Sequence, residues 1–138
     1  MKNVLILCTG NSCRSQMAEG LWNSLGQGQW QAFSAGSKPA GYVHHLAVQA
    51  MAEIGLDIGK NESKSLNVYL TKPFDLVVTV CGNADDACPV FPGTGKKVHW
   101  PFFDPAHAPG TDDEKFAVFR RVRDEIKARI QLFLDKGE

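Results

Sequence analysis

Apolar segments of two kinds alternate along the chain, and this alternation constrains the fold more than any other feature. Short apolar or β-branched runs typical of strands occupy residues 4–7, 30–35, 74–80 and 97–101. Segments with helical spacing of apolar residues cover 14–25, 44–54, 65–70 and the region after Thr111. Strands that alternate with helices form βαβ units, which build a parallel sheet. The sequence therefore predicts an α/β fold in a single domain, residues 1–138, with four parallel strands flanked by helices on both faces.

Local signals mark where several of these helices begin and end. Gly26 and Gly55 follow the first two helical segments and are expected to cap them. Thr111 and Glu114 have the spacing of a capping box, which predicts that the last helix begins directly after Thr111.

Composition excludes several classes of function. Fifteen basic and fifteen acidic residues give a net charge of zero, so neither nucleic acid nor an anionic membrane is expected as a partner. The apolar run near the N-terminus is too short for a signal sequence or a membrane span, which favours the cytoplasm. Thiols are kept reduced there, so the four cysteines are expected to be catalytic, metal-binding or buried.

Cys8 ends the first predicted strand, at the edge of the sheet where α/β folds bind ligands. The short loop after it leads into a helix, whose N-terminal amides and dipole stabilise an anion such as a thiolate. Arg14 offers a planar fork of donors that matches a tetrahedral oxyanion, and Ser15 can donate to the thiolate. This arrangement predicts a nucleophile aimed at a phosphate-like centre. The alternative is that Cys8 is only a small buried residue and that Arg14 faces solvent.

The segment "CTGNSCRS" resembles the phosphate-binding loop of the low-molecular-weight protein tyrosine phosphatases. The resemblance extends along the chain and includes "FSAG" at residues 33–36. It implies a four-stranded parallel sheet flanked by helices. The oxyanion-binding residues that it implies are Thr9, Gly10, Asn11, Ser12, Cys13 and Arg14. The family contains both phosphatases and thioredoxin-coupled arsenate reductases.

Two further cysteines bear on the choice between these activities. Cys81 ends the third predicted strand, and Cys88 follows seven positions later. In the resembled fold the first and third strands are neighbours, so Cys8 and Cys81 leave the sheet at the same edge. A helical segment would hold Cys81 and Cys88 about 10 Å apart along its axis, whereas a disulfide needs roughly 4.4–6.8 Å. Pairing would therefore require the polar segment "GNADDA" to loop out; the alternative is two unrelated thiols.

The cysteine spacing and the segment "HWPFFDP" resemble the thioredoxin-coupled arsenate reductases. The resemblance implies that Asp104 is the general acid, since expelling a hydroxide or alkoxide needs a proton donor. Without the resemblance, Asp104 reads equally well as a turn residue before Pro105. The implied reaction is attack of Cys8 on arsenate, resolution by Cys81, transfer of the disulfide to Cys81 and Cys88, and reduction by thioredoxin.

The expected function is thus thioredoxin-coupled reduction of arsenate by a cytoplasmic monomer with no tightly bound cofactor. One alternative is a low-molecular-weight tyrosine phosphatase that uses Cys8, Arg14 and Asp104 and leaves Cys81 and Cys88 without a role. Weak phosphatase activity is expected in either case. A third alternative is a non-catalytic oxyanion or redox sensor.

Weaker features concern metals and the remaining cysteine. Cys13 matches a cysteine of the related phosphatases that could trap an oxidised Cys8, although a packing role is favoured. Some of the resembled reductases bind potassium, and Asn11, Glu19 and Ser34 match that site. Ser65 stands where the ion-binding members carry a carboxylate, and this departure counts against the ion. The cysteine spacings do not resemble those of structural zinc sites.

Overall fold

The computed structural model describes residues 1–82, 89–93 and 95–137. Its sheet contains four parallel strands: β1 (Lys2–Cys8), β2 (Trp30–Gly36), β3 (Leu76–Thr79) and β4 (Lys96–His99). The strand order is β2-β1-β3-β4, so β1 lies between β2 and β3. This architecture confirms the predicted α/β fold.

Three α-helices accompany the sheet: α1 (Arg14–Leu25), α2 (His45–Ala52) and α3 (Asp112–Lys136). The predicted bounds of α1 are confirmed, as is the capping box of α3. In that box the Glu114 amide donates to Thr111 Oγ1 at 3.2 Å, and the Thr111 amide donates to Glu114 Oε1 at 3.1 Å. The second helix ends at Ala52, short of the predicted bound, and Gly55 adopts a left-handed φ of 82° beyond it. The predicted short helix is a 3₁₀ turn, Leu66–Tyr69.

Strand β1 is buried on both sides, which explains its unbroken apolar sequence. Val4 and Ile6 share one hydrophobic cluster with residues of all three α-helices. Leu5 and Leu7 point to the opposite face. That face is covered by the 3₁₀ turn Leu66–Tyr69 and by a set of aromatic rings, Phe33, Tyr69, Phe74 and Phe91. Because both of its faces are buried, β1 holds Cys8 and the start of the following loop in a fixed position.

A cluster of charged residues on a helix usually forms a solvated face, but the arginines of α3 do not all do so. Arg123 is buried and donates to the Ala50 carbonyl near the end of α2 at 2.8 Å. It also pairs with Glu53 at 2.7 Å. Charged hydrogen bonds from Arg120 and Arg123 lower the pKa of Glu53 to about 2. These contacts join α2 to α3 beside the sheet.

None of the helices in the described residues has the length and apolar content that crossing a membrane requires.

Candidate active site

Cys8 lies at the carboxyl end of β1 with its thiol turned into the loop that follows. The residue is 2% exposed. Its Sγ lies 2.8 Å from Ser15 Oγ and accepts a hydrogen bond from the Asn11 amide at 3.2 Å. A hydroxyl and an amide can each donate a hydrogen bond to the sulfur. The structure thus places Ser15 within hydrogen-bond distance of the sulfur.

The loop amides are oriented by hydrogen bonds on the loop's outer side. Three loop carbonyls accept from the segment 38–44: Thr9 from the Lys38 amide at 2.9 Å, Gly10 from Ala40 at 2.9 Å and Ser12 from His44 at 2.9 Å. A trans peptide directs its C=O and the next N–H to opposite sides. The amides of Gly10, Asn11 and Cys13 therefore turn inward, toward the side on which Asn11 meets the Cys8 sulfur. Inward amides above a helix N-terminus form a cradle for an oxyanion.

Asn11 holds the loop in an uncommon conformation. Its φ is 49°, in the left-handed region that asparagine tolerates better than most residues. The buried side chain donates to Ser15 Oγ at 2.8 Å and to Ser34 Oγ at 3.0 Å. Its oxygen accepts from the Lys64 amide at 2.9 Å. One side chain therefore ties the loop to α1, to β2 and to the segment behind the loop.

Gln16 is a supporting residue that sequence reasoning missed. It is fully buried, and its Nε2 donates to the Asn11 carbonyl at 3.2 Å and to the Glu62 carbonyl at 2.9 Å. Asn61 donates to Gln16 Oε1 at 3.2 Å, and Ser63 donates to the Gly10 carbonyl at 2.9 Å. The signal available in the sequence was a long polar residue in the first turn of α1, beside two residues already assigned to the site.

Arg14 enters the site from the start of α1 and is almost fully buried. Its Nη1 donates to the Phe102 carbonyl at 3.2 Å and to the Val80 carbonyl at 3.4 Å. Its Nη2 lies 3.5 Å from Asp104 Oδ2. The guanidinium therefore joins the end of β3 to the segment after β4, which carries Phe102 and Asp104.

Asp104 faces the loop from the segment that follows β4. Its Oδ1 accepts from the Ala106 amide at 3.0 Å and so caps the 3₁₀ turn Pro105–His107. Its Oδ2 lies 3.5 Å from Arg14 Nη2 and 3.5 Å from His107 Nε2. The turn role is thus served by Oδ1 alone, and Oδ2 is left beside Arg14 and His107.

Cys13 is the N-cap residue of α1 and is 3% exposed. Burial raises its pKa to about 12, although a contact with Ser12 opposes that shift. A thiol with such a pKa is protonated at neutral pH and is a poor nucleophile. This favours the packing role over the trapping role.

Cys81 and Cys88 differ in what the structure describes. Cys81 is buried at the end of β3, and Leu7 pairs with Thr79 in the neighbouring strand. Cys8 comes one residue after Leu7, and Cys81 comes two residues after Thr79. Both cysteines therefore lie at the same edge of the sheet, as expected. Cys88 lies outside the described residues.

The side chains matched to a potassium site form a hydrogen-bonded chain. Ser34 donates to Glu19 Oε1 at 3.0 Å, and Asn61 donates to Glu19 Oε2 at 3.1 Å. Burial raises the pKa of Glu19, and the charge of Lys64 opposes that shift. Asn11 directs its amide nitrogen, not its oxygen, toward Ser34. Since potassium needs oxygen ligands, this orientation does not fit the ion. The described residues hold no group of three or more His, Cys, Asp or Glu side chains that could bind a metal.

A buried thiol in a loop before a helix N-terminus, with an arginine and a carboxylate paired near that loop, is the arrangement that enzymes acting on oxyanions through cysteine use. Residues 3–136 match the model of the low molecular weight phosphotyrosine protein phosphatase family, and the chain belongs to this family.

Similar proteins place the chain beside the arsenate reductases of this family. An arsenate reductase of Halalkalibacterium halodurans is 52% identical over 137 residues, which is 99% of this chain and 98% of that protein. The structure of an arsenate reductase from Archaeoglobus fulgidus matches with a TM-score of 0.81 at 33% identity, over 96% of this chain and 99% of that one. A thioredoxin-dependent arsenate reductase of Corynebacterium glutamicum matches with a TM-score of 0.74 at 27% identity, over 98% and 61% of the two chains. These similarities confirm the predicted resemblance.

Replacing Gly36 by alanine is expected to displace the loop that follows Cys8. Gly36 pairs with Cys8 across β1 and β2, and an added Cβ would lie 2.5 Å from the Thr9 carbonyl oxygen. Loop displacement of this kind costs about 10²-fold in activity. We expect such a loss in kcat/KM for p-nitrophenyl phosphate. Gly28→Ala is the control, because it strains a turn with a φ of 84° that has no atoms nearby. Equal losses in the two variants would contradict a specific effect on the loop.

Proposed function

We propose that this protein reduces arsenate to arsenite through a relay of three cysteines, Cys8, Cys81 and Cys88, and that thioredoxin resets it. The observation that carries the proposal is the pairing of β1 with β3, which brings the ends of both strands, and hence Cys8 and Cys81, to one edge of the sheet. Hydrolysis of a phosphate ester needs only the first of these thiols. A second thiol at the same edge suits a reaction that transfers electrons.

The first step is substitution at arsenic. Arsenate binds in the cradle of loop amides, with Arg14 matching two of its oxygens. The Cys8 thiolate forms a bond to arsenic, Asp104 gives its proton to the departing oxygen, and water leaves. Arsenic remains pentavalent at this stage.

The second step moves two electrons to arsenic. The Cys81 thiolate attacks Cys8 Sγ, so a Cys8–Cys81 disulfide forms while the bond between Cys8 and arsenic breaks. The electron pair of that bond stays on arsenic, which leaves as arsenite. Cys88 then attacks Cys81 Sγ, forms a Cys81–Cys88 disulfide and releases the Cys8 thiolate. A thioredoxin dithiol reduces that disulfide and restores the enzyme.

The proposal extends to the setting of the enzyme. The chain acts as one domain, residues 1–138, and as a monomer. It works in the cytoplasm, where thioredoxin keeps thiols reduced. Because the loop, Arg14 and Asp104 also suit a phosphate monoester, weak phosphatase activity accompanies arsenate reduction.

Arsenate-dependent consumption of NADPH, in the presence of thioredoxin and thioredoxin reductase, tests this function. Wild type is expected to sustain turnover, and Cys88→Ser is expected to stop after one turnover because its disulfide cannot move to an accessible position. Hydrolysis of p-nitrophenyl phosphate by both proteins serves as the control for an intact loop. Ester hydrolysis without any NADPH consumption by wild type would make the protein a phosphatase.

A further inference from the structure

The Asp104 carboxylate is held so that its two oxygens have different surroundings. Oδ1 accepts from the Ala106 amide at 3.0 Å, and this bond fixes the rotamer of the side chain. Oδ2 lies between two nitrogen groups, with Arg14 Nη2 and His107 Nε2 each 3.5 Å away. A general acid must load and release its proton at one defined oxygen. The geometry assigns that task to Oδ2.

The three side chains around Oδ2 run from the interior to solvent. The Arg14 side chain is 3% exposed, that of Asp104 is 16% exposed, and that of His107 is 50% exposed. Arg14 belongs to the oxyanion cradle, so Oδ2 meets the substrate on that side. His107 meets bulk water on the other. The imidazole is therefore the group that joins a nearly enclosed acid to solvent.

We propose that His107 is a positioning residue that delivers protons from solvent to Asp104 Oδ2. This inference rests on the proposed role of Asp104 as the acid. In each cycle Asp104 gives its proton to the departing oxygen and becomes a carboxylate. Protonated His107 then transfers the proton on Nε2 to Oδ2 and takes another from water. No electrons move, and the net proton comes from solvent.

Other titratable groups near Asp104 are less suited to this transfer. From the start of α2, His44 senses the charge of Asp104, but its Nδ1 accepts the Leu46 amide at 3.1 Å and so caps the helix. Burial and the neighbouring His45 lower the pKa of His44. Cys13, at the start of α1, also senses Asp104, but its pKa is raised to about 12. Arg14 keeps its proton at all working pH values.

The test compares two phosphate esters that differ only in how much they need an acid. Phenyl phosphate releases a basic phenolate and depends on a proton donor, whereas p-nitrophenyl phosphate releases a stable anion and depends on one much less. For His107→Gln we expect kcat to fall about tenfold with phenyl phosphate, because Asp104 is reloaded only after the phenol has left; this loss is part of the 10²–10⁴-fold that a positioned acid supplies. We expect it to be nearly unchanged with p-nitrophenyl phosphate. The control is His45→Gln, an exposed histidine whose ring stacks on His44.

A second variant tests the same role if His107→Gln disturbs the turn Pro105–His107. His107→Ala leaves room beside Oδ2, and added imidazole is expected to restore its activity with phenyl phosphate. Equal losses with both esters, no rescue by imidazole, or the same selective loss in His45→Gln would each overturn the proposal. Hydrolysis of both esters is expected to need neither Cys81 nor Cys88, so failure of the arsenate relay would leave this test intact.

Discussion

Cys81→Ser is expected to abolish thioredoxin-linked arsenate turnover and to leave hydrolysis of p-nitrophenyl phosphate essentially unchanged. Cys81 follows β3 and lies outside the loop that holds the Cys8 sulfur. Its removal leaves the nucleophile, the amides and Arg14 in place. Without a second thiol, however, no disulfide with Cys8 forms and no electron pair passes to arsenic. Parallel assays of NADPH consumption and ester hydrolysis measure both effects.

The serine substitution has a built-in control for folding. Cys81 is 4% exposed, so a poorly tolerated change there would lower both activities together. Retained ester hydrolysis shows an intact loop. Sustained arsenate turnover by the variant would contradict the relay and would mean that another thiol resolves Cys8.

Asp104→Asn is expected to lower kcat/KM for phenyl phosphate by about 10²–10⁴-fold, the usual contribution of a positioned acid. The asparagine oxygen can still accept the Ala106 amide, so the cap of the turn Pro105–His107 is kept. What disappears is the carboxyl group that is proposed to donate a proton from Oδ2, and with it the ion pair with Arg14. Steady-state kinetics with phenyl phosphate, alongside arsenate turnover, give the measurement.

The matched control for that variant is Asp112→Asn. Asp112 is the exposed first residue of α3, and its substitution removes the same charge. We expect it to retain wild-type activity. The acid role of Asp104 would be contradicted if p-nitrophenyl phosphate lost as much activity as phenyl phosphate. Such a result would indicate that Asp104 acts only by holding Arg14.

Features set by neighbouring residues could be predicted from the sequence. The bounds of α1 depend on local spacing, and the start of α3 depends on Thr111 and Glu114, which are three residues apart. The placement of Cys8 depends on an apolar run that ends at a short loop. Each of these signals involves residues close in the chain, where propensity and capping act directly.

Features set by distant residues could not be predicted. Gln16 accepts a hydrogen bond from Asn61, which is 45 positions away, and no pattern within α1 indicates that partner. Arg123 is buried because it reaches the Ala50 carbonyl, 73 positions away. The raised pKa of Cys13 likewise comes from burial, which depends on how α1 packs in the whole fold. His107 is a different case: it is only three residues from Asp104, yet the geometry of the turn decides that its Nε2 lies 3.5 Å from Oδ2.

The most direct test of the relay is the mass of Cys88→Ser after one equivalent of arsenate in the absence of thioredoxin. The relay predicts a protein lighter by two hydrogens, with arsenite released. After digestion, a single disulfide should link the peptide of Cys8 to the peptide of Cys81. A protein that keeps all its thiols reduced, or one that joins Cys8 to Cys13 instead, would contradict the relay.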